Sequence, residues 1–298
     1  MNTKNITLKQ LRIFSTIARA GSLTLAAEQL FITKAAASMA LQELERQLDT
    51  RLFDRLNNRL ILNSQGEILR PLAEEVLQRV DAIAVELGSN ASNQPPLRIG
   101  ASNTIGNHLL PALLGDFLRS HPCRRPQVVI SNTSQLSQQL EQYELDIALV
   151  EGSFQSDQLD SENWLRDRME IVANPHHPLA NGEIHAIEAL EAEYWVLREF
   201  NSGTREQFQT ALAPKLNNWQ IGLELNTNEA IINAISAGLG LGYMSILAIN
   251  NAVSQNQLAI IRTRNVSQRQ LRIVTHRQKY HSPLLNQFIE FCRFWSPN

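Results

Sequence analysis

The chain has little of what several classes of protein depend on. Only two of its 298 residues are cysteines, Cys123 and Cys292, and at that separation they form neither a metal-binding motif nor a disulfide framework. We expect both to be reduced thiols, although a pairing of the two stays open. No run of eighteen apolar residues occurs, so no membrane-spanning helix is expected. The N-terminal stretch lacks the apolar core and cleavage site of a signal peptide, which predicts a cytoplasmic protein.

Patterns typical of catalysis are also scarce. The adjacent His176 and His177 have no cysteine or acidic pair near them, and no serine stands in a G-x-S-x-G turn. The stretch AGLGLGY falls between a predicted helix and a strand, whereas a phosphate-binding loop needs a strand before its helix. These features predict a protein that is not an enzyme and that binds no cofactor or metal.

Positive charge is concentrated near the N-terminus. Residues 1–66 contain nine Lys and Arg against five Asp and Glu, a net charge of +4, while the whole chain carries −2 and the remainder therefore −6. A basic segment on an acidic protein favours a polyanion partner at that segment. An excess of this size does not establish such a partner by itself.

Two short amphipathic helices are predicted in close succession between Gly21 and Arg55. Ser22 is placed to cap the first helix, whose apolar residues recur at helical spacing. These residues are Leu23, Ala26, Ala27 and Leu30. Phe31 and Ile32 are too apolar for a solvated corner, so we expect both to lie in a core.

The second helix, capped by Thr33, has one apolar face and one face of short or polar side chains. The apolar face consists of Ala37, Leu41, Leu44 and Leu48. The other face consists of Lys34, Ala35, Ser38, Met39 and Gln42. Short side chains let a helix approach another surface closely, as in a helix-turn-helix whose second helix enters the DNA major groove. The alternative is a helical hairpin that only packs within the protein.

The stretch after the second helix predicts a wing. RLFDR and RLILNSQG form two short strands joined by a polar turn at Asn57 and Asn58. The hairpin carries Arg51, Arg55 and Arg59. Arginines on a hairpin beside a recognition helix are suited to contact DNA phosphates.

A long helix is predicted over residues 65–90. Apolar residues recur along it at spacings of three and four, as in the seam of a two-stranded coiled coil. The seam consists of Leu69, Leu72, Val76, Val80, Ile83 and Leu87. We interpret it as a dimer helix, because a dimer lets two recognition helices bind a near-palindrome. The alternative is that the stripe packs on its own domain. GSNASNQPP then ends the helix, and residues 91–96 are predicted to form a hinge.

From Leu97 onward predicted strands and helices alternate, which indicates a mostly parallel α/β domain. Ligands of such sheets bind where strands end and helices begin. Four of these loops are rich in hydroxyl and amide groups, which suit an anion. Capping of the helices alone would explain any one loop, but four at one edge favour a small polar or anionic ligand. The predicted effector-binding residues are Ser102, Asn103, Thr104, Ser131, Asn132, Ser202, Gly203, Thr204 and Asn226.

The N-terminal segment resembles a known family. LKQLRIFSTIARAGSLTLAAEQLFITKAAASMALQELERQLDTRLFDR, within residues 7–66, is similar to the winged helix-turn-helix of LysR-type transcriptional regulators. The family commonly has proline at Ala35 and threonine at Asn63, and neither difference removes a basic or hydroxyl group from the predicted groove face. The resemblance implies binding to double-stranded operator DNA and a homodimer that assembles into a tetramer. The residues expected to contact DNA are Thr33, Lys34, Ala35, Ser38, Gln42, Arg51, Arg55 and Arg59.

The remainder resembles the effector domain of the same family, which is similar to periplasmic solute-binding proteins with two α/β lobes. The implied domains are a DNA-binding domain over 1–64, a linker helix over 65–90, a hinge over 91–96 and an effector domain over 97–298. Lobe I would hold about 97–165 and 266–298, and lobe II about 166–265. ASNTIGNHLLP, LVEG, LREFNSGTRE, NTNEAI and HRQKYHS resemble the branch that governs sulfur metabolism and responds to sulfite.

The sequence thus predicts a cytoplasmic regulator that is controlled by a small anion, with sulfite as the first candidate. Binding of the anion would change lobe closure and, through it, the spacing of the winged heads along DNA. Three alternatives stay open at this point. The effector could be another small metabolite or an organic acid. The chain could instead be a solute-binding protein or an enzyme with an accessory helical domain, or an architectural DNA-binding protein without a ligand.

Overall fold

The computed structural model describes residues 5–56, 59–87, 95–123, 125–152, 156–264 and 267–297. The chain divides into two compact units. The first holds Met1–Pro95 with Gln278–Asn286, and the second holds Pro96–Arg277 with Gln287–Asn298. Within the described ranges no helix combines the length and the apolar character that crossing a membrane requires.

The first unit contains three short helices, a two-stranded hairpin and one long helix. The helices are α1 (Leu8–Ala20), α2 (Leu23–Gln29), α3 (Lys34–Leu48) and α4 (Ser64–Leu87), and the strands are β1 (Phe53–Leu56) and β2 (Arg59–Leu62). Thr7 and Gln10 form a capping box that starts α1, and Gly21 ends it in the left-handed conformation that glycine adopts without strain. The predicted turn at Asn57 and Asn58 lies outside the described residues.

The core of this unit confirms most of the predicted apolar faces and corrects one residue. Ala26, Ala37 and Leu44 are fully buried, and Ile32 packs against the same core. Phe31 is 96% exposed, so its predicted burial is wrong. Its backbone is left-handed, with φ of 53°, which turns the ring away from the core that Ile32 enters. Ser22 precedes α2, but its side chain makes no capping hydrogen bond.

The apolar residues of α4 divide between two faces, which changes the predicted seam. Leu69 packs against the core of the first unit, together with Ala73 and Leu77. Leu72 and Ile83 lie elsewhere on the helix and are 54% and 57% exposed. Leu69 therefore faces its own core, and Leu72 is the first exposed residue of the predicted seam. Ile68, which the predicted seam did not include, is 60% exposed one turn before Leu72. The side chain of Leu87 lies outside the described residues.

The second unit is an α/β structure around one continuous sheet. Its strands are β3 (Arg98–Ser102), β4 (Gln127–Ser131), β5 (Ile147–Glu151), β6 (Leu159–Ala173), β7 (Ile184–His185), β8 (Tyr194–Arg198), β9 (Gln220–Leu225), β10 (Leu241–Ser245), β11 (Ala259–Thr263) and β12 (Ser267–His276). The helices are α5 (Asn103–His108), α6 (Leu110–Ser120), α7 (Thr133–Glu141), α8 (Gly203–Gln207), α9 (Asn228–Ser236), α10 (Ile246–Ser254) and α11 (Pro283–Phe294), of which the first four residues, 283–286, belong to the first unit. A π-helical turn, Phe208–Leu212, continues α8.

The order of the strands shows two parallel halves joined by antiparallel strands. The main path is β4-β3-β5-β12-β6-β10-β8-β9, and β11 pairs with β6 and β7. The β4-β3-β5 group and the β10-β8-β9 group are parallel. The 15-residue β6 pairs with β12 along its first part and with β10 and β11 at its end. We call the half around β3 lobe I and the half around β8 lobe II; β6 and β12 connect them.

Both faces of the lobe II sheet are covered. Trp195 and Leu197 of β8 enter one apolar cluster with Phe208, whereas Val196 between them enters a second cluster with Ile235. This alternation follows from the two-residue repeat of a strand. Parallel strands that are covered on both faces end at one edge, and the loops that follow them start helices there.

Candidate functional site

The exposed face of α3 carries the residues predicted to contact DNA bases. Lys34, Ala35 and Gln42 are exposed and Ser38 is half-buried, while Ala37 and Leu41 face the core. Thr33 caps the helix by accepting a hydrogen bond from the Ala36 amide at 3.1 Å. The cap leaves the first turn of α3 at the surface, where a groove-binding helix needs it.

The hairpin beside α3 is well formed. β1 and β2 are antiparallel, with Arg55 opposite Leu60 and Leu56 opposite Arg59. Arg51, Arg55 and Arg59 are all exposed. The Asn63 side chain donates to the Arg51 carbonyl at 2.9 Å and accepts from the amides that open α4, so asparagine serves where the family commonly has threonine. Arg55 and Arg59 thus lie on the paired strands, and Arg51 lies two residues before β1.

In the second unit one guanidinium group joins the two lobes. Arg269 of β12 donates to the Thr104 hydroxyl of lobe I at 3.1 Å and to the Thr204 hydroxyl of lobe II at 2.9 Å. Its Nε donates to Asp167 of β6 at 2.7 Å, and Ser245 donates to the same carboxylate at 2.9 Å. The side chains of Arg269 and Asp167 are almost completely buried. Buried charges of this kind are stable only when they are paired and hydrogen-bonded.

A second carboxylate, Glu151 at the end of β5, completes this group. Ser102 donates to one of its oxygens through a short hydrogen bond. The Thr104 hydroxyl donates to the other carboxylate oxygen, Glu151 Oε1, at 3.4 Å. The nearest nitrogen of Arg269 lies 3.6 Å from the same oxygen. The Thr133 hydroxyl donates to the Glu151 carbonyl at 2.9 Å. The hydroxyls that the sequence assigns to an anion from solution are thus bonded to an anion of the protein in lobe I.

Burial dominates the protonation of this carboxyl. Loss of water raises the pKa of Glu151 above its ordinary value, and the guanidinium groups of Arg269 and Arg198 oppose the rise. The carboxylate of Asp167 adds to it. We call the hydrogen-bonded set of Ser102, Thr104, Glu151, Asp167, Thr204 and Arg269 the interlobe cluster.

Two glycines bring the lobes into contact at the interlobe cluster. A Cβ on Gly203 would lie 2.3 Å from the Glu151 carbonyl oxygen. A Cβ on Gly152, whose φ is 89°, would lie 3.1 Å from the Gly203 Cα. No side chain fits between these backbones, so any ligand bound here is small or separates the lobes.

Two hydrogen-bond donors of lobe II have no acceptor in the described chain: Arg205 Nε and Asn228 Nδ2, which are both buried. Ser202 is also buried, and its side chain makes no capping hydrogen bond to α8. Both Arg205 and Asn228 are bonded to Arg198. The backbone carbonyl of Arg198 accepts from Arg205 at 3.2 Å, and the Arg198 guanidinium donates to Asn228 Oδ1 at 3.3 Å. An arginine one turn into a helix commonly points to solvent, but Arg205 turns inward to this carbonyl and to Glu224.

The remaining predicted effector residues lie at the periphery. Asn132 caps α7 and approaches Glu199 of lobe II at 3.5 Å. Ser131 bonds to Gln135, and the side-chain oxygen Oδ1 of Asn103 accepts from Asn107 at 3.1 Å. Asn226 is exposed after β9, outside the interlobe cluster.

The sequence did not point to Glu151, Asp167 or Arg269 as members of a site. Glu151 follows a fully apolar strand segment, IALV, which is a signal that a carboxylate stands at the edge of a buried strand. Asp167 and Arg269 lie in strands that also carry exposed charges, and their burial depends on the pairing of β6 with β12. No spacing rule within either strand identifies them.

The chain combines a winged helical head with a two-lobed α/β domain that has a polar site between its lobes. This combination defines a DNA-binding regulator with an effector domain. The chain belongs to the LysR family of bacterial transcriptional regulators. Residues 8–67 match the family described as "Bacterial regulatory helix-turn-helix protein, lysR family", and residues 90–295 match "LysR substrate binding domain". The matched families and relatives are transcriptional regulators, and the protein is accordingly a regulator and not an enzyme.

Relatives match along nearly the whole chain. The "Uncharacterized HTH-type transcriptional regulator YeiE" of Escherichia coli K12 is 35% identical over 291 residues, 97% of each chain. The "RuBisCO operon transcriptional regulator" of Allochromatium vinosum is 28% identical and covers 96% of this chain and 95% of its own. The "HTH-type transcriptional regulator CysL" of Bacillus subtilis is 28% identical and covers 92% and 91%.

Solved structures share the fold. A full-length OxyR variant from Pseudomonas aeruginosa is similar with a TM-score of 0.79 at 21% identity, over 98% of this chain and 96% of that one. The CcmR regulatory domain of Synechocystis, described as in complex with 2-PG, is similar with a TM-score of 0.63 at 25% identity. It covers 67% of this chain and 96% of its own.

Proposed function

We propose that this regulator binds operator DNA through α3 and the wing, and that a small oxyanion bound between the lobes controls it. Ser38 and Gln42, with Thr33, Lys34 and Ala35, face the bases of the major groove. Arg51, Arg55 and Arg59 contact phosphates. All of these side chains except the half-buried Ser38 are exposed on the first unit, which supports this assignment. Such a protein works in the compartment that contains the chromosome, which is the cytoplasm of a bacterium.

The observation that carries the effector site is the excess of buried donors in lobe II. A buried donor without an acceptor costs roughly 1–3 kcal/mol, so such groups call for a bound acceptor. The two such donors are Arg205 Nε in α8 and Asn228 Nδ2 at the start of α9, and the buried Ser202 precedes α8 directly. An oxyanion offers several acceptor atoms in a small volume and fits the close approach of Gly152 and Gly203. Ser102, Asn103, Thr104, Ser131, Asn132, Gly203 and Asn226 remain the surrounding candidates.

Sulfite is the first candidate among these anions, because the loops ASNTIGN, LREFNSGTRE and NTNEAI resemble those of sulfite-responsive members of the family. The second candidate is a small organic acid. The similarity to the CcmR regulatory domain, described as in complex with 2-PG, favours it. The narrow glycine contact between the lobes favours the smaller ligand.

We propose further that the regulator is a homodimer through α4 and assembles into a tetramer. Leu72, Val76 and Ile83 are exposed on α4 at spacings of four and seven residues. Exposed apolar residues at this spacing suit a second copy of the helix. The edge strands β4 and β9 expose further apolar residues, namely Val128, Val129, Ile130, Ile221 and Leu223. Unpaired apolar edges are suited to a second contact between copies.

Titration calorimetry with sulfite, sulfate, thiosulfate and phosphate tests the effector site. Thr204→Ala removes a hydroxyl that accepts from Arg269 and leaves an anion oxygen unpaired. We expect a loss of roughly 1.5–3 kcal/mol, or about tenfold to hundredfold in affinity. Thr210→Ala is the control, since Thr210 is exposed and bonds only to a helix carbonyl. Wild-type protein that binds none of the four anions would refute the anion assignment.

A further inference from the structure

The interlobe cluster holds a carboxylate where the effector is proposed to bind. Glu151 accepts from Ser102 and Thr104 and lies within 3.6 Å of Arg269. Its side chain is 2% exposed, so water does not share its charge. An oxyanion that takes the same donors would come to lie beside this carboxylate. Two anions at that distance repel strongly in a poorly solvated site.

We propose that Glu151 is an internal anion that competes with the effector, and that the effector binds only as Glu151 takes up a proton. This inference rests on the proposed oxyanion site. It adds a residue, Glu151, whose protonation determines whether that site accepts an anion. In the ligand-free protein Glu151 satisfies the donors of lobe I, while those of lobe II stay unpaired. On binding, one proton moves from the buffer to a Glu151 oxygen, and Ser102 and Thr104 turn to the anion. The protonated carboxyl then donates to the anion instead of repelling it.

The groups around Glu151 support a protonated form. Arg269 keeps its partner Asp167 at 2.7 Å when Glu151 becomes neutral, so no charge on β12 is left unpaired. Arg198 likewise keeps Glu199 at 2.8 Å. Burial already raises the pKa of Glu151, which lowers the cost of adding the proton. The charged and titratable groups that face this region are Arg269, Asp167, Arg198, Arg205, Glu206 and His108.

The test is calorimetry of the full-length protein in buffers of different ionisation enthalpy, which counts the protons taken up per anion. The probes are sulfite, sulfate, thiosulfate and phosphate, on wild type and Glu151→Gln. Glutamine keeps the shape and the amide can donate, as a protonated carboxyl does. Glu188→Gln is the matched control, an exposed glutamate on the 3-10 turn Ile187–Leu190 of the same domain.

We expect wild type to take up about one more proton per anion than Glu151→Gln. The anion itself gains or loses the same number of protons when it binds either protein, so this number cancels in the difference between the two. Wild-type affinity should rise about tenfold for each unit that the pH falls, whereas the affinity of Glu151→Gln changes only with the titration of the anion. At about pH 8 Glu151→Gln should bind more tightly than wild type, because no carboxylate competes. Glu188→Gln should match wild type.

The outcomes separate this inference from the proposed function. An anion that binds both proteins with the same proton count and pH dependence would overturn the role of Glu151 and leave the oxyanion site standing. If neither protein binds any of the anions, the oxyanion site itself fails. Should Glu151→Gln fail to fold, the wild-type affinity alone decides with sulfate or thiosulfate, which do not titrate near neutral pH. An affinity for these anions that does not change with pH would contradict proton uptake.

Discussion

Phe31 combines two unfavourable features at one residue. Its ring is 96% exposed and its φ is 53°, a conformation that bulky side chains adopt at a cost of roughly 1–2 kcal/mol. Asparagine adopts this conformation more readily. Phe31→Asn should therefore raise the free energy of unfolding of the head by about 1 kcal/mol, measured by thermal and urea denaturation.

Phe31→Ala serves as the control for this prediction, because alanine removes the ring but keeps the strained backbone. It should leave the stability close to that of wild type. A loss of stability in Phe31→Asn would contradict the explanation and would mean that the ring contributes to the fold despite its exposure.

Individual residues show where the sequence was informative and where it was not. The cap at Thr33 and the burial of Ala37 and Leu44 follow from local spacing and were predicted correctly. Phe31 was assigned to the core on hydrophobicity alone, and its backbone conformation decided otherwise. Arg269 could not be assigned to a site, because a charged residue in a strand is buried or exposed according to its neighbours in the sheet.

At the scale of elements, α4 has two apolar faces, one packed on the head and one exposed. Leu69, Ala73 and Leu77 pack on the head, and Leu72, Val76 and Ile83 are exposed on the helix. The sequence predicted a single seam that included Leu69. A spacing of three and four residues fits both faces of a helix, so the pattern predicted the helix correctly but not which residues meet the head.

The exposed face of α4 gives a prediction about assembly. Leu72→Arg should weaken the dimer without unfolding the head, because Leu72 is more than half exposed in the single chain. A symmetric interface loses the side chain twice, and at roughly 1.5 kcal/mol or more for each the dissociation constant should rise about 100-fold. Sedimentation equilibrium measures the change. Glu67→Arg, at an exposed position on the other side of the same helix, about 140° from Leu72, should have no such effect, and equal behaviour of the two variants would exclude this face from the interface.

The recognition helix and the wing should contribute to DNA binding in different ways. Gln42→Ala should reduce the preference for operator over random DNA, since each good base contact contributes roughly 1–3 kcal/mol of discrimination. Arg55→Ala should weaken binding to operator and to random DNA alike. It should also reduce the slope of log binding constant against log salt concentration by about one. Fluorescence anisotropy at several salt concentrations separates the two effects. Unchanged binding by both variants at matched salt would place the DNA contacts elsewhere.

At the scale of the whole molecule, the order of the sheet shows what local patterns leave open. The alternation of strands and helices predicted an α/β domain, and the sheet confirms it. The return of the last strand, β12, to β5 of lobe I was implied only by the family resemblance. Local propensities do not specify which strands pair across more than a hundred residues. The interlobe cluster depends on that return, because Arg269 lies on β12.

Effector binding in one unit must also change DNA binding in the other, and the effect of each ligand on the affinity for the other must be equal. If the effector changes the affinity for operator DNA by some factor, operator DNA must change the affinity for the effector by the same factor, typically about 5- to 150-fold. Thr204→Ala should keep wild-type DNA affinity in the absence of effector, because the head and α4 are unaltered. At an effector concentration equal to the wild-type dissociation constant, the DNA affinity of Thr204→Ala should stay close to the ligand-free value, because its sites are then about 1–10% occupied. Anisotropy with and without effector, and calorimetry with and without operator, measure the two factors. A factor of one in both directions would mean that the interlobe site does not control DNA binding, and unequal factors would reveal a linked change in oligomeric state.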